Sequence, residues 1–127
     1  MAFIVLWASL SAFAAEEWVL PDSIRKATIQ SQNMAIGERM QAVSKPFLGL
    51  PYVLDPMGES VGIDPDPLIR YDAFDCLTFV EEVLALSLSF SPDSAGQNRL
   101  NLRYFDGVVH YRTRKHFMLS QWIPDNL

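Results

Sequence analysis

Cys76 is the single thiol of the chain, and a thiolate is an intrinsically strong nucleophile. It follows Asp75 at the head of an apolar run, residues 75–90, that reads as a helix. In the first turn of a helix, free backbone N–H groups and the helix dipole favour the thiolate. The same N–H groups can receive the negative charge that develops on an attacked carbonyl oxygen. The competing reading is that a cysteine on a buried helix is a small hydrophobe. One cysteine cannot form an internal disulfide, and thiolate-rich zinc sites need several.

Other candidates are weaker. His110 adjoins a turn and reads as a surface residue. His116, in the basic run Arg112-Thr113-Arg114-Lys115-His116-Phe117, reads as a loop histidine. Two histidines without a carboxylate between them make a poor metal signal, so no metal or other cofactor is expected. Asp64-Pro65-Asp66-Pro67 mimics the start of a calcium loop, but Leu68 stands where a ligand is required and Ile69 replaces the glycine. Neither a phosphate-cradling Gly-rich loop with Lys-Ser/Thr nor a Gly-x-Ser-x-Gly elbow is present.

The elements around these residues follow from pattern. Pro21-Asp22-Ser23 places a cap before Ile24, and apolar spacing to Val43 predicts two short helices with a break near Gln32-Asn33. Between Pro46 and Pro67, five prolines and three glycines exclude a long helix or central strand. This loop carries Phe47, Leu48, Tyr52 and Val53, which predicts an ordered, functional segment. The run 75–90 should bury Leu77, Val80, Val83, Leu84 and Leu88 on one side, with Phe79, Leu86 and Phe90 around the rest. In Leu100–Arg112, Asp106-Gly107 between strand-forming residues predicts a β-hairpin with a tight turn.

With 127 residues, 50% apolar and 20% charged, the chain has the composition of one small globular domain or part of one. Its formal charge of -5 makes nucleic acid an improbable partner. Charge is divided: residues 55–82 hold eight acidic groups and one basic, whereas 99–115 hold five basic and one acidic. Two readings fit, solvated faces that attract each other or a polar cleft. Residues 2–14 carry no charge and end in Ala12-Phe13-Ala14, followed by Glu16-Glu17. This reads as an export signal (1–14) cleaved after Ala14, although no basic residue precedes the apolar run. The stretch is shorter than a membrane-spanning helix needs. Residues 15–127 would then form a periplasmic or secreted domain with no stable membrane span. A lone thiol in an oxidising compartment is unusual enough to suggest a function.

Phe47-Leu48-Gly49-Leu50-Pro51-Tyr52-Val53, Gly58-Glu59 and the block from Asp64 to Glu81 resemble the core of the N-acetylmuramoyl-L-alanine amidase-like family. That family is a branch of the NlpC-type cell-wall cysteine peptidases. The likeness continues through Arg103-Tyr104, Asp106-Gly107, Arg114, His116-Phe117 and Trp122–Asn126. It implies an α+β, papain-like fold, here incomplete: N-terminal helices, a long loop, a cysteine-bearing helix and one hairpin. It implies that Cys76 is the nucleophile, Asp75 a contact for a substrate amine and Tyr52 an orienting group. The serine that usually follows the cysteine is Leu77 here.

The implied activity is an exported cysteine amidase or peptidase that cuts amide bonds of peptidoglycan stem peptides through an acyl-enzyme. Peptidoglycan fragments or other peptide amides would be its partners. In such enzymes the base is a histidine in a His-Val/Met-Gly-like block well after the cysteine helix, and no such block precedes Leu127. The chain therefore reads as an N-terminal part of a longer member. His116 is the in-chain candidate for the base; the alternatives are a catalytically inactive muropeptide-binding module or a truncated fragment lacking its base histidine.

Overall fold

A computed structural model describes residues 18–127. The expected export signal lies outside the described residues. Five α-helices succeed one another: α1 (Asp22–Gln30), α2 (Ile36–Ser44), α3 (Cys76–Ser87), α4 (Ala95–Arg103) and α5 (Ile123–Asn126). Single 3₁₀ turns at Lys45–Phe47, Pro92–Ser94, Phe105–Gly107 and Tyr111–Thr113, and a π turn at Met118–Trp122, join them.

The first two helices break at Ser31–Met34, close to where the sequence places it. Pro21, not a side-chain cap, starts α1: its fixed φ of -58° suits the position before a helix, and no side chain hydrogen-bonds the free N–H groups. The start of α3 is different. Asp75 Oδ1 accepts from Thr78 N–H at 2.8 Å, while Thr78 Oγ1 accepts from Asp75 N–H at 3.0 Å, a reciprocal capping box.

Helix α3 packs against α2 and α4. The core gathers Ile24, Val43, Phe47, Met57, Tyr71, Phe74, Val83 and Leu86. Phe47 and Met57 come from the proline-rich loop, so this loop is held by core packing, as its aromatic content predicts. The buried face of α3 matches the expected one only in part: Val83 and Leu86 are buried, 6% and 0% exposed. Val80 and Leu88 are 40% and 57% exposed and Phe90 beyond the helix 94%, whereas Glu81 and Glu82 are 1% and 0% exposed. Arginines from α4 sit on this face, and a carboxylate matched to a guanidinium can be buried where an unpaired one could not.

The predicted hairpin is absent. Residues 100–103 continue α4, and β pairing among the described residues is confined to isolated bridges, Tyr52 with Phe74, Val61 with Asp64, and Tyr104 with Arg114. The turn chemistry was read correctly: Asp106 and Gly107 both adopt left-handed φ, 55° and 66°. The turn does reverse the chain, and Lys115 N–H donates to Arg103 C=O at 2.9 Å. Strands do not form because Arg103 and Tyr104 are claimed by the core, through Glu81 and Glu59, on one side of the turn. The described residues are thus mostly helical with little β structure: the N-terminal helices, the long loop and the cysteine-bearing helix are present as expected, and the hairpin is not.

Candidate functional site

Cys76 is the first residue of α3 and is exposed. It opens on a groove of about 290 Å³ between the 47–52 loop and the start of α3. Leu48 and Tyr52 line it from the loop, Asp75 and Cys76 from the start of the helix, and Phe47, Phe74 and Phe79 complete it. The parallel bridge fixes this lining: Val53 N–H donates to Phe74 C=O and Phe74 N–H to Pro51 C=O, each at 3.1 Å. Sequence-predicted residues Cys76, Tyr52 and Asp75 therefore share one groove.

Asp75 is occupied. Its Oδ1 also accepts from Thr78 Oγ1 at 2.7 Å, and its Oδ2 accepts from Asp55 N–H at 3.3 Å. The carboxylate holds the helix start and ties it to the loop. Being the first two N–H groups of the helix, those of Cys76 and Leu77 have no intrahelical acceptor. The cap thus leaves donors free beside the thiol.

His116 lies elsewhere. It lines a smaller cavity of about 80 Å³ that includes Asp55, Asp75, Thr78, Glu81 and Arg114 but not Cys76. Its Nε2 is 2.7 Å from Tyr111 C=O. A carbonyl only accepts, so Nε2 carries the proton and Nδ1 is the acceptor in the neutral ring. Its ring centroid sits 4.5 Å from that of Tyr111. His110, 2 residues before Arg112, accepts the Arg112 N–H on Nδ1 at 3.0 Å and serves a turn. Among the described residues no group of three or more metal-ligating side chains forms. A further cavity, about 510 Å³ and lined by residues that include Trp18, Arg25, Tyr71 and Arg99, contains none of the candidate residues.

The sequence reading missed a lattice of buried ion pairs. Glu82 takes both Arg99 Nε and Nη2, at 2.5 and 2.6 Å, and accepts from Tyr71 O–H at 3.1 Å. Glu81 accepts from Arg103 Nε at 2.8 Å and Trp122 Nε1 at 2.9 Å. Arg114 donates from Nε to Glu59 at 2.6 Å and from Nη2 to Asp64 at 2.8 Å, and Tyr104 O–H reaches Glu59 at 3.0 Å. Lys115, 2% exposed, donates to Asn101 C=O at 2.7 Å and pairs with Asp125. The divided charge was the signal for this lattice: the acidic 55–82 and basic 99–115 segments meet largely inside the protein, and Asp55, Asp75, Glu81, Arg103, Arg114 and Lys115 also line the small cavity that holds His116.

The lattice shifts its own titrations. Burial would lower the Arg114 guanidinium, but the Glu59 and Asp64 carboxylates reverse this and hold it above its ordinary value. Burial opposed by Glu82 has the same net outcome at Arg99. Burial, reinforced by Glu82, lifts the Tyr71 phenol above its usual range; burial pushes Tyr104 up to about 12.

Residues 42–127 match the family described as N-acetylmuramoyl-L-alanine amidase-like. A solved Legionella pneumophila protein of the DUF1460 family is 34% identical, with a TM-score of 0.72 over 82% of this chain and 36% of its own. An N-acetylmuramoyl-L-alanine amidase from Bacteroides uniformis is 30% identical, with a TM-score of 0.60 over 71% of this chain and 39% of its own. A candidate xylanase from Bacteroides fragilis is 31% identical, with a TM-score of 0.54 over 65% of this chain and 37% of its own. This chain therefore spans little more than a third of the length of these solved relatives. No curated protein matches. The family match takes in Tyr52, Asp75, Cys76 and His116 alike, and the chain belongs to the N-acetylmuramoyl-L-alanine amidase-like family.

Proposed function

We propose that the chain carries the nucleophile of a cysteine amidase acting on amide bonds of peptidoglycan stem peptides. The observation that supports it best is the exposed Cys76 at the capped start of α3, opening on a groove shared with Tyr52 and Asp75. In this reading the Cys76 thiolate attacks the amide carbonyl and the N–H groups of Cys76 and Leu77 receive the oxyanion. The C–N bond breaks as the thiol's proton passes, through a base, to the leaving amine. Water then hydrolyses the thioester, releasing the acid and regenerating the thiol. A papain-like arrangement of the full-length relatives and export through residues 1–14 belong to the same proposal.

The base is the open role. His116 has an acceptor nitrogen in its neutral ring, yet it lines a cavity that does not include Cys76. That separation favours a second reading, a muropeptide-binding module that does not turn over. Incubation with muropeptides, followed by mass spectrometry of the released amine and acid, separates the two. Turnover abolished by Cys76→Ser supports the amidase; binding without turnover, unchanged in Cys76→Ser, supports the module. Under turnover, His116→Ala lowers the rate about 10²-fold or more if His116 is the base. An unchanged rate assigns the base elsewhere.

A further inference from the structure

The geometry points to a specificity element beside Cys76: the 47–52 groove takes a neutral, apolar group attached next to the reacting amide, and Leu48 and Tyr52 select it. This rests on Cys76 being the nucleophile of the proposed amidase.

The floor of the groove is fixed. Phe47 packs edge-on against Phe74 and Phe79, with ring centroids 5.1 and 5.7 Å apart and planes at 76° and 74°. Phe47 and Phe74 are themselves 5% and 6% exposed, so neither has room to withdraw. The rim is the reverse. Leu48 is 81% and Tyr52 66% exposed, large apolar surfaces left in water next to a reactive atom. Such surface is relieved when an apolar group covers it. The left-handed φ of 86° at Gly49, open to a glycine without strain, sets the turn that follows Leu48.

Charge decides which group. Among the described residues Asp75 is the one charged side chain lining the groove, and its oxygens already accept from Thr78 and Asp55. The nearby cations Arg103, Arg114 and Lys115 line the other cavity, each matched to a carboxylate. An anionic substituent entering the groove therefore finds no cation and one carboxylate, whereas a neutral ring or branched alkyl group gains burial against the aromatic floor. The groove's 290 Å³ has room for such a group.

Alkylation of the single thiol tests this without turnover. The purified protein is treated with N-benzyl iodoacetamide, iodoacetamide and iodoacetate; the Cys76 sulfur displaces iodide in each case, and intact mass gives the rate. Each rate is divided by that of the same reagent with glutathione. The expected result is saturable benzyl labelling, about tenfold or more faster than iodoacetamide after this correction, the effect of covering one aromatic ring. Iodoacetate should fall below both. Leu48→Ser and Tyr52→Ser should each reduce the benzyl preference, measured against iodoacetamide within the same variant.

A benzyl preference equal to that of glutathione, one untouched by either substitution, or a faster iodoacetate overturns the proposal. So does labelling that slows as protein concentration rises, because a second copy then covers the face. Alkylation requires neither a base nor hydrolysis. A failed amidase assay with the benzyl preference intact therefore removes catalysis alone, and lost preference with intact amidase activity removes the groove's role alone.

Discussion

Two regions meet at α3 and treat charge in opposite ways. At its first turn the helix presents an exposed thiol to an apolar groove with a single carboxylate. One turn further, Glu81 and Glu82 are buried and each is matched to an arginine of α4. Taking such charges out of water is costly, and their pairing recovers that cost only with full hydrogen bonding. Here Tyr71 and Trp122 supply the remaining donors. The contrast teaches that the lattice fixes where α3 sits, while the groove end is left open for chemistry.

The largest effects should come from breaking the lattice one partner at a time. Glu81→Ala strands Arg103, which is 4% exposed, and should cost about 3–5 kcal/mol in urea denaturation. Replacing Glu81 and Arg103 together with leucines should recover much of that loss, because no buried charge is then unpaired. A double variant as unstable as the single one would mean that the pair itself, rather than the orphaned charge, carries the energy.

Next comes Tyr104→Phe, which removes a buried hydroxyl and leaves Glu59 short of a donor, at a cost of about 1–3 kcal/mol. The substitution also probes pH. Tyr104 is raised from 10.0 to about 12, so below pH 10 the phenol is protonated in the folded and unfolded chains alike and its contribution is whole. Between those values only the unfolded chain ionises, and stability falls as pH rises, by up to about 1.4 kcal/mol per pH unit. The wild-type alkaline loss, followed by denaturant midpoints, should shrink in Tyr104→Phe; the part due to Tyr71 remains.

At the groove end the effects on stability are smaller and more informative about chemistry. Asp75→Ala removes the cap of α3 and should cost about 1 kcal/mol. Asp75→Asn keeps a good cap, so its melting temperature should stay close to wild type. If Asp75 also contacts a substrate amine, Asn lowers kcat/KM for amine-bearing substrates without the loss of stability; an unchanged kcat/KM leaves Asp75 as a cap alone. The smallest effect should be Arg25→Ala, which breaks a surface pair with Asp93 and should change stability by less than about 1 kcal/mol.

Local signals were legible. The helix with Cys76 at its head, the two N-terminal helices and the left-handed Asp106-Gly107 turn all depend on a few neighbouring residues. So did the grouping of Tyr52, Asp75 and Cys76, which the family resemblance supplied and the parallel bridge at Phe74 explains. The hairpin failed because Arg103 and Tyr104, which look like strand residues, answer to Glu81 and Glu59 far away in sequence. The setting of His116 was illegible for a related reason: it follows Arg114 and Lys115, which are held in the lattice, and it lines a cavity with Asp75 and Leu77, the residues on either side of Cys76.

The residues alone carried the family likeness, the nucleophile candidate and the helix that it heads, since turn and helix chemistry act over a few residues; the Asp75–Thr78 cap came only with the structure. Only the tertiary structure decided that the divided charge is buried, that the cysteine opens on an apolar groove and that the histidine lines another cavity. The arginine–carboxylate hydrogen bonds of the lattice join residues 17 to 55 apart in sequence, from Arg99 with Glu82 to Arg114 with Glu59. No local pattern specifies which carboxylate meets which cation; burial does, because each buried charge is tolerated only where its counterpart arrives.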